Sequence, residues 1–157
     1  MQVTSPAYAN GDTMPTRFAA WRVQGGGNVS VPISWSGAPS GTRSYVVVMT
    51  DRHPVARGWV HWLVISIPAS ASALPEGVSG TPGVPAGAVE LENTSGRAGY
   101  GGPQPPPGTG VHDYETTVFA LDVAHLGVEP PATWDDVSGA MQGHVLASGS
   151  LTGRFER

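Results

Sequence analysis

Two short segments gather residue types that could do chemistry together. The run DRHPVARGWVHW holds Asp51, His53 and His61, and VHDY at 111–114 spaces His112 and Tyr114 by two. Side chains two apart on a strand share a face, so His112 and Tyr114 point into one concavity while Asp113 and Glu115 turn to water. Imidazole titrates near neutrality, and imidazole with phenol offers donors suited to an anionic oxygen. Beside an oriented carboxylate, the same groups can act as general acid and base. Asp51 near His61 favours the charged form of both, and burial opposes it. No nucleophile stands next to a base, so covalent acyl or phosphoryl transfer is disfavoured.

Plainer readings stand beside these. His61 can be a core histidine satisfied by one backbone carbonyl, and Asp51 a turn residue bonded to its own backbone ahead of Pro54. Tyr114 can be a tyrosine packed across strands, next to an incidental exposed His112. His125, in a loop, and His144, on a helix, are read as structural. A zinc site is set aside, because the eight residues from His53 to His61 match neither strand nor helix spacing for paired ligands. No metal or other cofactor is expected.

The elements that must position these groups are strands. Ser30–Trp35, Ser44–Thr50, Trp59–Ile67, Thr116–Asp122 and Leu146–Phe155 are rich in Val, Ile, Trp and Thr between Gly/Pro/Ser clusters. WVHWLVISI is apolar on both faces, as a central strand should be, and His61 is the polar residue inside it. Long connections at 68–90 and 96–110 separate these strands, and loops of that length are usually functional or closely packed. One helix is predicted, capped by Thr133, with Asp135 and Asp136 in its first turn and Val137, Met141 and Val145 along one face.

Bulk composition narrows the function classes. The 157 residues suit one domain, 1–157, and 22 glycines with 15 prolines favour short strands and ordered loops. The net charge is -4 and the eight basic residues are scattered, which removes the footprint for nucleic acid. All eight are arginines, so Schiff-base lysines and P-loops are excluded. The absence of cysteine removes thiol nucleophiles, thiolate metal sites and disulfides, and fits a cytoplasmic location. No apolar stretch approaches the roughly 20 residues of a membrane helix, and MQVTSPAYANGDTMP does not read as a signal peptide.

The same segments resemble the phosphatidylethanolamine-binding protein (PEBP) family, in its bacterial Raf-kinase-inhibitor-like branch. The resemblance runs through NGDTMP at 10–15, GNVSVPISWSGAPSGTRSYVVVMTD at 27–51, GWVHWLVISIPA at 58–69 and LPEG at 74–77. It continues through GYGGPQPPPG at 99–108, VHDY at 111–114, FALD at 119–122 and AMQGHVLASGSLTGRF at 140–155. It implies a mainly β fold, an antiparallel β-sandwich with a few short peripheral helices, and a small cavity accepting phosphate-type or carboxylate head groups. Carried over, the ligand-binding residues are Asp51, His61, His112 and Tyr114, with Gly101 and Pro103 from the Gly/Pro loop. Departures fall around them. The family's usual DPDAP is here Asp51-Arg52-His53-Pro54-Val55, its NDFG is Asn93-Thr94-Ser95-Gly96, and its GPCPP cysteine is Gln104.

Three functions stay open at this level. One is a binding protein for a small anionic or polar ligand, without nucleic acid or an integral membrane segment, and with a homodimer open. Another is a non-covalent acid–base enzyme, an isomerase, dehydratase or cyclase of a specialised metabolite, using His61, His112 and Asp51 with His53 as an added player. A third is a regulator of a kinase or protease, on fold analogy alone. A cavity narrowed to phosphate size would favour the first. A deep extension lined by Trp21, Trp59 or Phe18 would suit a larger substrate and the second.

Overall fold

A computed structural model describes residues 1–157. Its eight strands are β1 (Gln2–Thr4), β2 (Ile33–Ser36), β3 (Ser44–Asp51), β4 (Val60–Pro68), β5 (Ala73–Leu74), β6 (Val89–Glu90), β7 (His112–Leu121) and β8 (Val145–Phe155). They form two antiparallel sheets, a three-stranded one in the order β1-β2-β5 and a five-stranded one in the order β6-β4-β3-β7-β8. The fold is mainly β, as the strand patterning implied. No helix is long and apolar enough to cross a membrane.

Alternation along the long strands explains the layering. On β3, Tyr45, Val47 and Met49 enter the larger core against Val3, Ile33, Trp35 and Leu74 of the small sheet. Val46 and Val48 face a second cluster with Val137 and Met141, under the only α-helix, α1 (Trp134–Ala140). Both faces are therefore apolar, which is why these strands read as continuous hydrophobic runs.

Strand β4 breaks this alternation at two places, between Val64 and Ile67 and, at the site end, at residue 61. Met49 pairs with Trp62 but Thr50 pairs with Val60, so His61 is an extra residue, a β-bulge. A bulge re-aims a side chain and ends regular pairing. Here it lets Val60 join the outer cluster and Trp62 the inner one, although they are two apart.

The helix is shorter than expected. Thr133 caps it, with reciprocal bonds to Asp136, but Val145 is 43% exposed and opens β8. Met141 ends the helix and Gly143, at φ 80°, turns the chain away, so the four-residue spacing to Val145 continues across a helix stop. His144 therefore lies in the turn, where its ring bonds Asp122 Oδ1 at 2.8 Å. Three short strands, β1, β5 and β6, carry too few residues to show a period.

Candidate functional site

The register of the large sheet assembles the site at one end. Asp51, the last residue of β3, pairs across to Tyr114 on β7, and His112 lies two residues before Tyr114 on the same face. The β7 strand starts at His112, four residues ahead of the predicted start. Asp113 and Glu115, on the other face, are half-buried under arginines, Arg154 Nε to Asp113 at 3.0 Å and Arg52 Nε to Glu115 at 3.7 Å.

Asp51 closes a turn, as its plain reading expected, and also pairs across the sheet. Its Oδ1 accepts from the His53 backbone N–H at 2.9 Å, closing the turn before Pro54, and its Oδ2 accepts from His112 Nδ1 at 2.6 Å. The carboxylate thus pairs with His112, not with His61. The other nitrogen of His112, Nε2, lies 2.8 Å from the Thr109 hydroxyl, which itself sits 2.7 Å from the Pro106 carbonyl. Two oxygens that close repel unless a hydrogen lies between them, so the Thr109 proton goes to Pro106 and its oxygen accepts from His112. Both ring nitrogens of His112 are thereby engaged, Nδ1 with the Asp51 carboxylate and Nε2 with the Thr109 hydroxyl. Thr109 was not foreseen; its only signal is its place three residues before His112.

His53 stands behind this pair. Its ring stacks on His112, centroids 3.9 Å apart and planes 13° from parallel, and its Nδ1 accepts from Val55 N–H at 3.3 Å. It is not among the residues lining the cavity.

His61 follows its plain reading on one side of the ring, where a backbone carbonyl satisfies it. Its Nδ1 is 2.6 Å from the Gly101 carbonyl, and Gly101 N–H returns a bond to the His61 carbonyl at 2.8 Å. A carbonyl only accepts, so Nδ1 carries the proton and Nε2 keeps its lone pair for the cavity. Burial lowers the His61 pKa against the opposing pull of the Gly101 carbonyl and the Asp51 charge. Here burial wins over Asp51.

Tyr114 is fully buried, edge-on to His61 at 5.1 Å, and its hydroxyl has no hydrogen-bond partner. Burial raises its pKa, helped by the charge of Asp51 and by the closeness of that carboxylate to the hydroxyl, although no hydrogen bond between them meets the geometric criteria, so the hydroxyl stays a neutral donor. A buried hydroxyl left unpaired costs free energy unless something occupies the space beside it.

Loops set these groups in a cavity of about 720 Å³. Asn28, in the left-handed conformation at φ 49°, accepts from Gly102 N–H at 2.7 Å and donates to the Tyr100 carbonyl at 3.2 Å. Ala20 N–H reaches the Pro103 carbonyl at 3.0 Å. Asn93 is buried, donating to the Gly99 carbonyl at 2.9 Å, while Thr94 Oγ1 accepts from Val60 N–H at 2.8 Å. The altered 93–96 turn thereby anchors the strand that carries His61. Asp51, His61, Gly101, His112 and Tyr114 line the cavity, and Pro103 does not. Trp21, Trp59 and Gln104 line its mouth, while Phe18 is wholly buried in the core.

Comparison with known proteins agrees with this fold. Residues 4–156 match the family described as phosphatidylethanolamine-binding protein. A UPF0098 protein of Methanothermobacter thermautotrophicus is 36% identical over 157 residues, covering 100% of this chain and 99% of that protein. The UPF0098 protein YbhB of Escherichia coli is 37% identical, with 99% of each chain covered. The crystal structure of Escherichia coli YbcL, described as a new member of the mammalian PEBP family, matches with a TM-score of 0.92 at 33% identity, over 99% of this chain and 98% of that one. With the profile, the relatives and the fold in agreement over nearly the whole length, this chain belongs to the phosphatidylethanolamine-binding protein family.

Proposed function

We propose that this protein binds a small molecule through a compact polar head group seated between Tyr114 and His61. The observation that carries this is the Tyr114 hydroxyl, buried without a hydrogen-bond partner beside an imidazole whose Nδ1 is taken by the Gly101 carbonyl, which leaves Nε2 for a ligand. The head group must accept from Tyr114 and satisfy His61, either by bringing its own hydrogen or by leaving a proton on Nε2. A monoprotonated phosphate or a carboxylic acid meets both demands. The Asp51–His112 pair fixes the geometry, with its facing atoms already bonded to each other. Binding of this kind needs no covalent step and no cofactor, and the cysteine-free composition supports a cytoplasmic location.

Titrating inorganic phosphate into the wild type and into Tyr114→Phe tests the reading. The variant is expected to bind about tenfold more weakly, the effect of one hydrogen bond to a charged group. Its unfolding midpoint should not fall, because the lost hydroxyl had no protein partner. Equal affinities in the two proteins would refute the assignment.

The pH dependence of sulfate binding gives a second test, since sulfate carries no proton in the working range. Free His61 is held neutral by burial, below its ordinary pKa, and an anion beside Nε2 raises that pKa. The complex therefore holds more protons than the free protein, and affinity must rise as pH falls. Isothermal titration at pH 8, 7 and 6 in buffers of different ionisation enthalpy should show increasing affinity with proton uptake. A flat profile would mean that His61 does not face the anion.

A second reading is an acid–base enzyme acting on a larger substrate, favoured by the 720 Å³ volume and by Trp21 and Trp59 in the lining. In that reading His61 Nε2 is the base, because His112 has both nitrogens committed. Full turnover of a candidate substrate by His61→Ala would exclude it.

A further inference from the structure

We infer that the mouth of this cavity is a second subsite, built for a planar aromatic body bearing its own anionic group, so that the ligand is an aryl anion reaching the Tyr114–His61 floor with its head group. The inference rests on the floor reading above and adds the chemistry of the rest of the ligand.

Charge carries the first part. The whole chain is at -4, yet the cavity contains two arginines, Arg22 and Arg97, and a single carboxylate, Asp51. Asp51 is consumed by His112 and the His53 N–H. Arg22 and Arg97 are both exposed, and neither makes a salt bridge, in contrast to Arg17, Arg52 and Arg154. They come from loops 75 residues apart in sequence, so the scattered basic residues converge here through folding. Two guanidiniums without a protein partner, beside a single carboxylate already bonded to two donors, select a ligand whose negative charge lies partly at the mouth.

Shape and apolarity carry the second part. Six large apolar side chains are exposed on the protein, and three of them, Trp21 at 69%, Val55 at 50% and Trp59 at 41%, line this one cavity. Exposed indoles cost hydration unless something planar covers them, and Trp faces also attract guanidinium and aromatic groups. The volume of about 720 Å³ lies in the range of drug-sized ligands and far exceeds a lone phosphate.

The test compares three probes: inorganic phosphate, phenyl phosphate and 4-carboxyphenyl phosphate, by calorimetry with tryptophan fluorescence as a second readout. In the wild type, phenyl phosphate is expected to bind about tenfold tighter than inorganic phosphate. The carboxylated probe should gain about tenfold again through a charge-assisted pair. The first gain should collapse in W21A/W59A and the second in R22Q/R97Q, with circular dichroism confirming that these exposed positions leave the fold intact. Equal affinities for all three probes would overturn the inference, and so would gains that survive the rim variants. Binding to anionic phospholipid vesicles that 4-carboxyphenyl phosphate fails to displace would also overturn it, assigning the indoles to a membrane surface.

Tyr114→Phe separates this inference from the floor reading. If it weakens all three probes while the aryl gain is absent, the floor stands and the rim falls. If the aryl gain follows the rim variants while Tyr114→Phe has no effect, the rim stands and the floor falls. Absence of binding by every probe at millimolar concentration overturns both.

Discussion

Asp51→Ala is expected to lower the unfolding free energy by about 3 kcal/mol or more, measured by urea titration, because it removes the buried acceptor of two N–H donors. His112 is fully buried and the Asp51 side chain is 5% exposed. Deleting the carboxylate strands the His112 Nδ1–H and the His53 backbone N–H together, and neither has another acceptor. Asp51→Asn should cost less, since its single amide oxygen still serves one of the two donors. Thr109→Val probes the far side of the same ring, where the Nε2 hydrogen would lose the only oxygen it reaches. An Asp51→Ala protein within about 0.5 kcal/mol of wild type, the range of an inconsequential surface change, would mean that the pair is not formed.

The second large effect is expected at Gly102. A Cβ there would lie 2.2 Å from the Phe18 carbonyl oxygen and 2.6 Å from both the Ala19 carbonyl carbon and the Ala20 nitrogen. Every one of these atoms is backbone, so no side-chain rotation relieves the contact. The loop must retreat from the 18–20 segment, opening the Gly102–Asn28 and Ala20–Pro103 bonds and pulling on Gly101. Gly102→Ala should therefore cost about 2–3 kcal/mol, at the upper end of overpacking effects. It should also weaken phosphate binding, because the Gly101 carbonyl that orients His61 moves with the loop. Gly139→Ala is the control, since the added carbon meets nothing within 4 Å. If the Gly102 variant matched it in stability and affinity, the loop would be far more yielding than its bonds imply.

Much of the floor was legible in the residues. Spacing by two on a strand put His112 and Tyr114 on one face, and the Gly/Pro clusters bounded the long strands correctly to within a few residues. Those signals are local, so a linear reading finds them. The partner of Asp51 was harder. Whether a carboxylate at a strand end meets His61 or His112 depends on cross-strand register, and the bulge at His61 changes that register by one. The mouth was hardest, because Arg22 and Arg97 sit in loops with no period, and only the folded chain brings them to one cavity. Val145 shows the converse error, where a helical spacing continues past a turn that has already ended the helix.

The bulge at His61 has a consequence for how the site relates to its scaffold. With residue 61 left out of the count, Val60, Trp62, Leu63 and Val64 alternate strictly between the outer and inner clusters. The ladder with β3 then runs without interruption from Thr50 to Val47, up to the second irregularity before Tyr45. The imidazole that faces the cavity is thus a surplus residue, inserted into a strand whose packing is complete without it. Scaffold and chemistry are separable along the chain at a single position, and a change there alters the reactivity of the site while leaving the sandwich its full complement of core contacts.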